Sequence, residues 1–303
     1  MDVEVTGDAG FDVIPRDAWV ARGRFGVGDT VSGELARTVA ATELVDVDEV
    51  REVYLPLACW VEDRLDAGHS APGDQAEGRS ATAVIGITGS VAVGKTTTAR
   101  VLTDLWRRDP VPVSVDLLTT DGFLHPNHVL EQRGLLHRKG FPETYDHQAL
   151  TAALDAVRSG QAEVAVPVYS HERYDIVPDQ VQWIRRPRLL VVEGLTVLQA
   201  AAGGGALVDV AIYVDADEAS VARWHTRRLM ALRSDVDAEP SDFQRWFCSL
   251  SDAEAEQVVA SSWSEINLVN LRQHVAPSRG RADVILEKDA EHRVRRVLVR
   301  SPH

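Results

Sequence analysis

The sequence predicts an α/β fold built on a doubly wound, mostly parallel sheet, and three observations predict it. An apolar run, Ala83 to Ile87, leads to Gly89 and then to Gly94-Lys95-Thr96, and an amphipathic helical stretch follows from Thr97 to Arg108. A second apolar run, Leu189 to Val192, is bounded by Arg188 and by Glu193-Gly194, the pattern of a strand buried on both faces. Around these runs, strand-like and helix-like stretches alternate, as parallel crossover units require.

At 303 residues the chain can bury a full core, as one large or two small domains. It is 45% hydrophobic and 26% charged, ordinary for a globular protein. A net charge of −14 disfavours nonspecific attraction to nucleic acid or anionic membrane. Phosphate binding therefore requires a local basic cluster. Cys59 and Cys248 lie far apart in apolar helical patterns and read as buried thiols. The N-terminus has no charged-then-apolar signal and no apolar run approaches a membrane span, so a cytoplasmic location is expected.

In chain order, Met1 to Gly28 reads as irregular, anchored by Phe11, Trp19 and Phe25. Ser32 can cap a helix through about Thr42. Asp46 or Asp48 caps a second helix to Leu65, whose Val50, Val53, Leu57 and Val61 form a buried stripe, with Pro56 kinking it or starting a new turn. Residues 1–66 thus form a helical cap, 67–81 a flexible loop, and 82–303 the core, with one structural domain overall as the expectation.

The core opens on Gly89-Ser90-Val91-Ala92-Val93-Gly94-Lys95-Thr96-Thr97, which fits G-x-x-x-x-G-K-[ST] between a strand and a helix. Such a P-loop turns backbone N–H groups and a helix N-terminus toward phosphates, and the glycines permit the dihedrals. Lys95 would reach the β- and γ-phosphates of a nucleoside triphosphate, and the Thr96 hydroxyl would hold Mg²⁺.

Val113 to Thr119 is the next strand and runs into Asp121. A carboxylate at that end of a parallel strand sits where ligands bind, placed to orient or deprotonate an acceptor hydroxyl; the alternative is a turn or helix-cap Asp. Asn127 to Leu136 reads as helix, and Arg138-Lys139-Gly140 as a basic loop, either near the phosphates or simply solvated. Asp146 caps a helix from Gln148 to Arg158.

Val164 to His171 reads as the start of a hairpin or meander that gathers Tyr169, His171, Tyr174 and Asp175, a set suited to a polar acceptor pocket. Glu193, ending its buried strand, would touch Mg²⁺ directly or through water. Val208 to Val214 is a strand, and Glu218 to Arg233 a helix bearing Arg223, Arg227, Arg228 and Arg233, either a lid of about residues 217–233 over the triphosphate or a solvated basic face. After a polar link, Ser251 to His274 reads as one long helix with Asn267 among apolar positions. Ala282 to Leu286 is a late strand and Arg293 to Arg300 the final edge strand.

Several stretches resemble the bacterial type I pantothenate kinases: GSVAVGKTTTARVL from Gly89, TTDGFLHPN from Thr119, GFPETYD from Gly140, PVYSHERYD from Pro167, VEGLTVLQ from Val192 and WSEINLVNL from Trp263. The resemblance implies a P-loop kinase fold, a homodimer, MgATP-dependent phosphorylation of pantothenate in coenzyme A synthesis, and inhibition by coenzyme A at the ATP site. It implies Asp121 as catalytic base and Arg228 as the arginine on the transferring phosphate. It implies Tyr169, His171, Tyr174 and Asn267 in the pantothenate pocket, with His225 where a substrate-enclosing tyrosine is usual. Arg100, Lys288 and His292 match positions near the nucleotide or coenzyme A. The sequence departs from the family at His225, Leu229, Leu232, Gln244 and Thr196, in the acceptor and thiol pockets rather than the phosphate machinery. Two other readings remain beside a pantothenate kinase: a related kinase with another hydroxylated acceptor, and a nucleotide-binding regulator without acceptor chemistry.

Overall fold

The β-branched and leucine-rich runs form the middle of a parallel sheet. The structure, a computed structural model, describes residues 10–22, 36–41, 43, 45–69, 82–108, 113–199, 207–234 and 242–301. Phe25, Ser32, Thr42, nearly all of the expected 67–81 loop and most of the link before Asp242 lie outside the described residues. The strands are β1 (Phe11–Ile14), β2 (Ala83–Gly89), β3 (Val115–Thr119), β4 (Val164–Ser170), β5 (Asp175–Ile184), β6 (Leu189–Glu193), β7 (Val210–Asp215), β8 (Val284–Lys288) and β9 (Val294–Arg300). Helices of eight or more residues are α1 (Leu55–His69), α2 (Lys95–Arg108), α3 (His147–Arg158), α4 (Glu218–Ala231), α5 (Asp242–Ser249) and α6 (Asp252–Ser261).

The main sheet has the order β1-β9-β8-β7-β2-β6-β3, with β4 and β5 paired separately. From β8 to β3 every pair is parallel, while β9 and β1 run antiparallel to their neighbours. This is the doubly wound, mostly parallel sheet the alternation predicts. Successive residues of the central strands face opposite sides: Ile85, Ile87 and Val191 enter one apolar cluster, and Val84, Leu190 and Val192 the other. Trp19, Val50, Val53, Leu57 and Val61 belong to the first cluster with Leu102 and Leu105 of α2, so the N-terminal elements cover that face. The opposite face is covered by α3 and the β4–β5 hairpin through Leu150, Leu154 and Val164.

Four expectations change. Phe11–Ile14 is a strand rather than irregular chain, and it pairs outside β9. The strand at Val294–Arg300 is therefore not the edge, because its outer N–H and C=O groups are taken by β1. The helix beginning at Asn127 ends at Gln132, where the chain turns into Gly134 at φ +66°. The long helix beyond Ser251 runs unbroken to Val275, but it is not α throughout: Ser262–Asn267 and Leu271–Val275 are widened turns. In the first of them Asn267 Nδ2 donates to Ser262 O at 3.0 Å, a side chain competing for a backbone acceptor.

Pro56 stands at the start of α1, directly after a widened turn over Val50–Tyr54; lacking an N–H, it cannot continue the preceding ladder. Neither cysteine is in a disulfide; Cys59 is buried and Cys248 half-buried.

The register sets up the site. Ile87 and Thr119 both pair with Glu193, and Gly89 pairs with Val214, so β2, β3, β6 and β7 end together at one edge of the sheet. Ligands bind at that edge in open α/β sheets.

Candidate active site

The loop between β2 and α2 is held open by two glycines. Gly89 has φ +148° and a Cβ there would lie 2.2 Å from Val214 O, so only glycine lets β2 leave the sheet this closely. Gly94 has φ +98°, and a Cβ would meet Lys288 Nζ at 2.7 Å. Between them Val93 is buried as an apolar anchor and Ala92 takes φ +58°. Lys95 opens α2, and its Nζ donates to Ser90 O at 2.7 Å, curled back over the loop. Burial lowers the Lys95 pKa, opposed by the charges of Glu193 and Asp121.

Thr96 Oγ1 donates to Glu193 Oε1 at 3.1 Å, joining the phosphate loop to the end of β6. Glu193 is buried, and burial raises its pKa, with Lys95 opposing. A hydroxyl and a carboxylate beside a phosphate loop are hard oxygen donors, and Mg²⁺ takes one or two such protein groups with nucleotide phosphates and water. Among the described residues there is no group of three or more His, Cys, Asp or Glu that could hold a metal ion.

Asp121 lies in a 3₁₀ turn over Thr120–Phe123, where its backbone N–H donates to Thr119 Oγ1 at 3.3 Å. Tyr145 Oη donates to its Oδ1 at 3.4 Å. The Asp121 charge acts on Lys95, Lys139, His171 and Tyr145, which puts its carboxylate between the phosphate loop and the hairpin. Burial lowers the His171 pKa and leaves its imidazole neutral.

On the hairpin, Tyr169 meets His171 and Tyr174 edge-on, with ring centroids 5.2 and 6.4 Å apart. Lys139 of the basic loop sits against this cluster, 4.4 Å from the Tyr174 centroid, and its Nζ donates to Asn127 Oδ1 at 2.6 Å. Burial lowers the Lys139 pKa to about 8, against the pull of Asp175 and Asp121. Its neighbour Arg138 is committed elsewhere, to Glu143 and the Phe141 ring. Asp175 is likewise occupied, accepting from the backbone of Asn127 and Ile176.

Helix α4 starts at an Asp217 cap that accepts from Ser220 N at 2.8 Å. Its four arginines do not act together. Arg227 and Arg228 line a groove of about 660 Å³ with Lys95, Thr96, Lys288 and His292. Arg223 turns to Ser220 Oγ, and Arg233, just past the helix, binds the carbonyls of Phe247 and Leu250. Those two arginines therefore serve the helix and its packing, a correction to a shared basic face.

Trp224 floors the groove: its ring stacks on His292 at 3.5 Å and its Nε1 donates to Ala290 O. His292 takes φ +67°, and burial, helped by Lys288 and Arg227, pushes its pKa down to about 4. His225 is buried, its Nε2 3.1 Å from Asn267 Nδ2, so these two expected acceptor residues meet each other. Arg100 is exposed on α2 and does not line the groove, although its charge reaches Glu43 and His171.

Tyr145, Trp224 and the groove wall at Asp46 and Glu49 were not marked as site residues by the sequence. Tyr145 had one available signal, since it lies within the quoted GFPETYD motif directly before the Asp146 cap.

A P-loop, a threonine hydroxyl bonded to the buried Glu193 carboxylate behind it and an Asp beyond a strand end define a P-loop kinase acting on small molecules. The profile of the phosphoribulokinase / uridine kinase family matches residues 84–236. A solved structure of D-glycerate 3-kinase from Cryptococcus neoformans superposes with a TM-score of 0.55 at 12% identity, covering 80% of this chain and 97% of that one, and shares the fold. A pantothenate kinase of Brevibacillus brevis is 42% identical over 304 residues, 94% of each chain, and one of Streptomyces coelicolor is 43% identical over 274 residues, 85% of this chain and 83% of its own. The chain belongs to the pantothenate kinase family. No helix among the described residues is long and apolar enough to cross a membrane.

Proposed function

We propose that this chain transfers the γ-phosphoryl group of ATP to the terminal hydroxyl of pantothenate, giving 4′-phosphopantothenate, the first step of coenzyme A biosynthesis. The observation that carries the reading is identity of 40–44% with curated pantothenate kinases across most of the chain. The site geometry supports it. Backbone N–H groups of Gly89 to Thr97 cradle the triphosphate, with Lys95 moving from Ser90 O to its oxygens. Arg228, beside Lys95 in the groove, stabilises charge on the transferring group. Asp121 accepts the proton of the acceptor hydroxyl, and Tyr169, His171, Tyr174, His225 and Asn267 hold the acceptor. Mg²⁺, when bound through Thr96 and Glu193, neutralises phosphate charge during transfer. Lys288 and His292, which line the groove, would meet the rest of the nucleotide, while Arg100, outside the groove, would act on it only through its charge; a homodimer is the working assembly, and the cytoplasm is its place. Coenzyme A, carrying a similar nucleotide end, competes there with ATP.

A coupled ADP-release assay with pantothenate beside sugars, nucleosides and pantothenate analogues tests the reading. Turnover of pantothenate above every other acceptor is expected; preferred turnover of another compound overturns the substrate. One observation favours that second reading. His225 Nδ1 and Thr196 Oγ1, both at positions that depart from the family pattern, are buried without hydrogen-bond partners among the described residues. Such groups are costly unless a ligand answers them.

A further inference from the structure

The segment that carries Tyr145 is fastened to the Asp121 turn by its backbone. Tyr145 pairs with Leu124 in an isolated antiparallel bridge, His125 N donates to Thr144 O at 2.9 Å, and Asp146 N donates to Phe123 O at 2.7 Å. Each of these bonds ties a residue just after Asp121 to one adjoining or including Tyr145. The Tyr145 ring is buried, and a buried phenol hydroxyl needs a partner. The partner it has is Asp121 Oδ1.

We propose that Tyr145 is a positioning residue for phosphoryl transfer: its hydroxyl holds one oxygen of Asp121 so that the other faces the acceptor hydroxyl. This rests on Asp121 acting as the base. A carboxylate at the end of a short turn can rotate about its Cβ–Cγ bond, and a general base must sit within hydrogen-bond reach of the proton it takes. The donor removes that freedom. The separation of 3.4 Å is long, as such bonds often are before substrate closes the site. Burial, with the Asp121 charge beside it, holds the phenol well above the usual tyrosine range, so it remains a donor throughout the working pH. Tyr169 and Tyr174 also feel the Asp121 charge, but among the described residues the tyrosine hydrogen bond to its carboxylate comes from Tyr145.

The test is Tyr145→Phe in the full chain, which removes only the oxygen. kcat should fall about tenfold or more while KM for ATP stays within about twofold, because the interaction is used in transfer and not in nucleotide binding. In an Asp121→Asn background the same change should cost less than about twofold, because the two groups act as a unit. An equal cost in both backgrounds, or an unchanged kcat in the single variant, overturns the proposal. Phe141→Leu, a change in the same segment at a buried ring that packs on Arg138 and His274, is the folding control. If kcat merely tracks the melting midpoint in both variants alike, Tyr145 is structural and the proposal fails. The cycle is measured with whichever acceptor turns over, so a failure of pantothenate itself bears on the substrate and not on Tyr145.

Discussion

Gly194 and Thr120 meet where β6 and β3 leave the sheet: a Cβ at Gly194 would lie 1.8 Å from Thr120 Oγ1. Thr120 is fully buried and immediately precedes Asp121, so the glycine after Glu193 bears on the height of the turn that carries Asp121. Gly194→Ala should cost about 1–3 kcal/mol from overpacking. Displacing that turn by even an ångström should also lower kcat by about tenfold to a hundredfold. Urea unfolding and steady-state kinetics check the two halves, and a stable, fully active variant would refute both.

Asp121→Asn keeps the size of the side chain and removes its capacity to take a proton. We expect kcat to fall by roughly 10²–10⁴-fold, the usual span for a general base, with nucleotide affinity nearly unchanged. Pre-steady-state turnover and equilibrium nucleotide binding separate the two quantities. Retained turnover would remove Asp121 from the base role.

Lys139 makes stability depend on alkaline pH. Its folded value of about 8 lies below its ordinary 10.5, so between those values the unfolded chain binds more protons and stability rises with pH. Lys139→Met should flatten this rise when unfolding midpoints are compared at pH 8 and pH 10. Parallel curves for the two proteins would show that the lysine is not held in this desolvated position.

His292 does the same on the acid side. Its folded value is about 4 against an ordinary 6.5, so its contribution is complete above 6.5 and is lost as pH falls toward 4. His292→Phe retains a ring over Trp224 without titrating, and it should lose less stability across that window. Trp fluorescence during acid titration reports the stack directly, and an identical acid transition in the variant would contradict the assignment.

Much of this site was legible because its chemistry is local in sequence. Gly89 to Thr96 carries its meaning within a single loop, and Glu193 is legible because apolar residues on both faces mark a central strand that must end at the ligand edge. What was hidden depends on partners far along the chain. Arg233 looks like Arg227 and Arg228 in a helical pattern, and only the carbonyls of Phe247 and Leu250 distinguish it. The strand at Phe11–Ile14 has four residues and no clear alternation, because its register comes entirely from β9. Asn267 reads as a helix residue, yet its amide opens the turn it sits in.

That outermost pairing bears on how the molecule is made. Asp12 and Ser301, hydrogen-bonded at 2.8 Å, are 289 positions apart, and Phe11 to Ile14 pair with Arg300 to Val297. During synthesis the first strand leaves the ribosome long before the strand that receives it exists. The rim of the sheet is thus sealed only after the phosphate loop, Asp121 and α4 have all emerged. Until then β1 has no partner strand, and an unpaired edge is where another nascent copy would attach. Low temperature and slow expression should therefore favour the native protein by giving the earliest segment time to close the latest one.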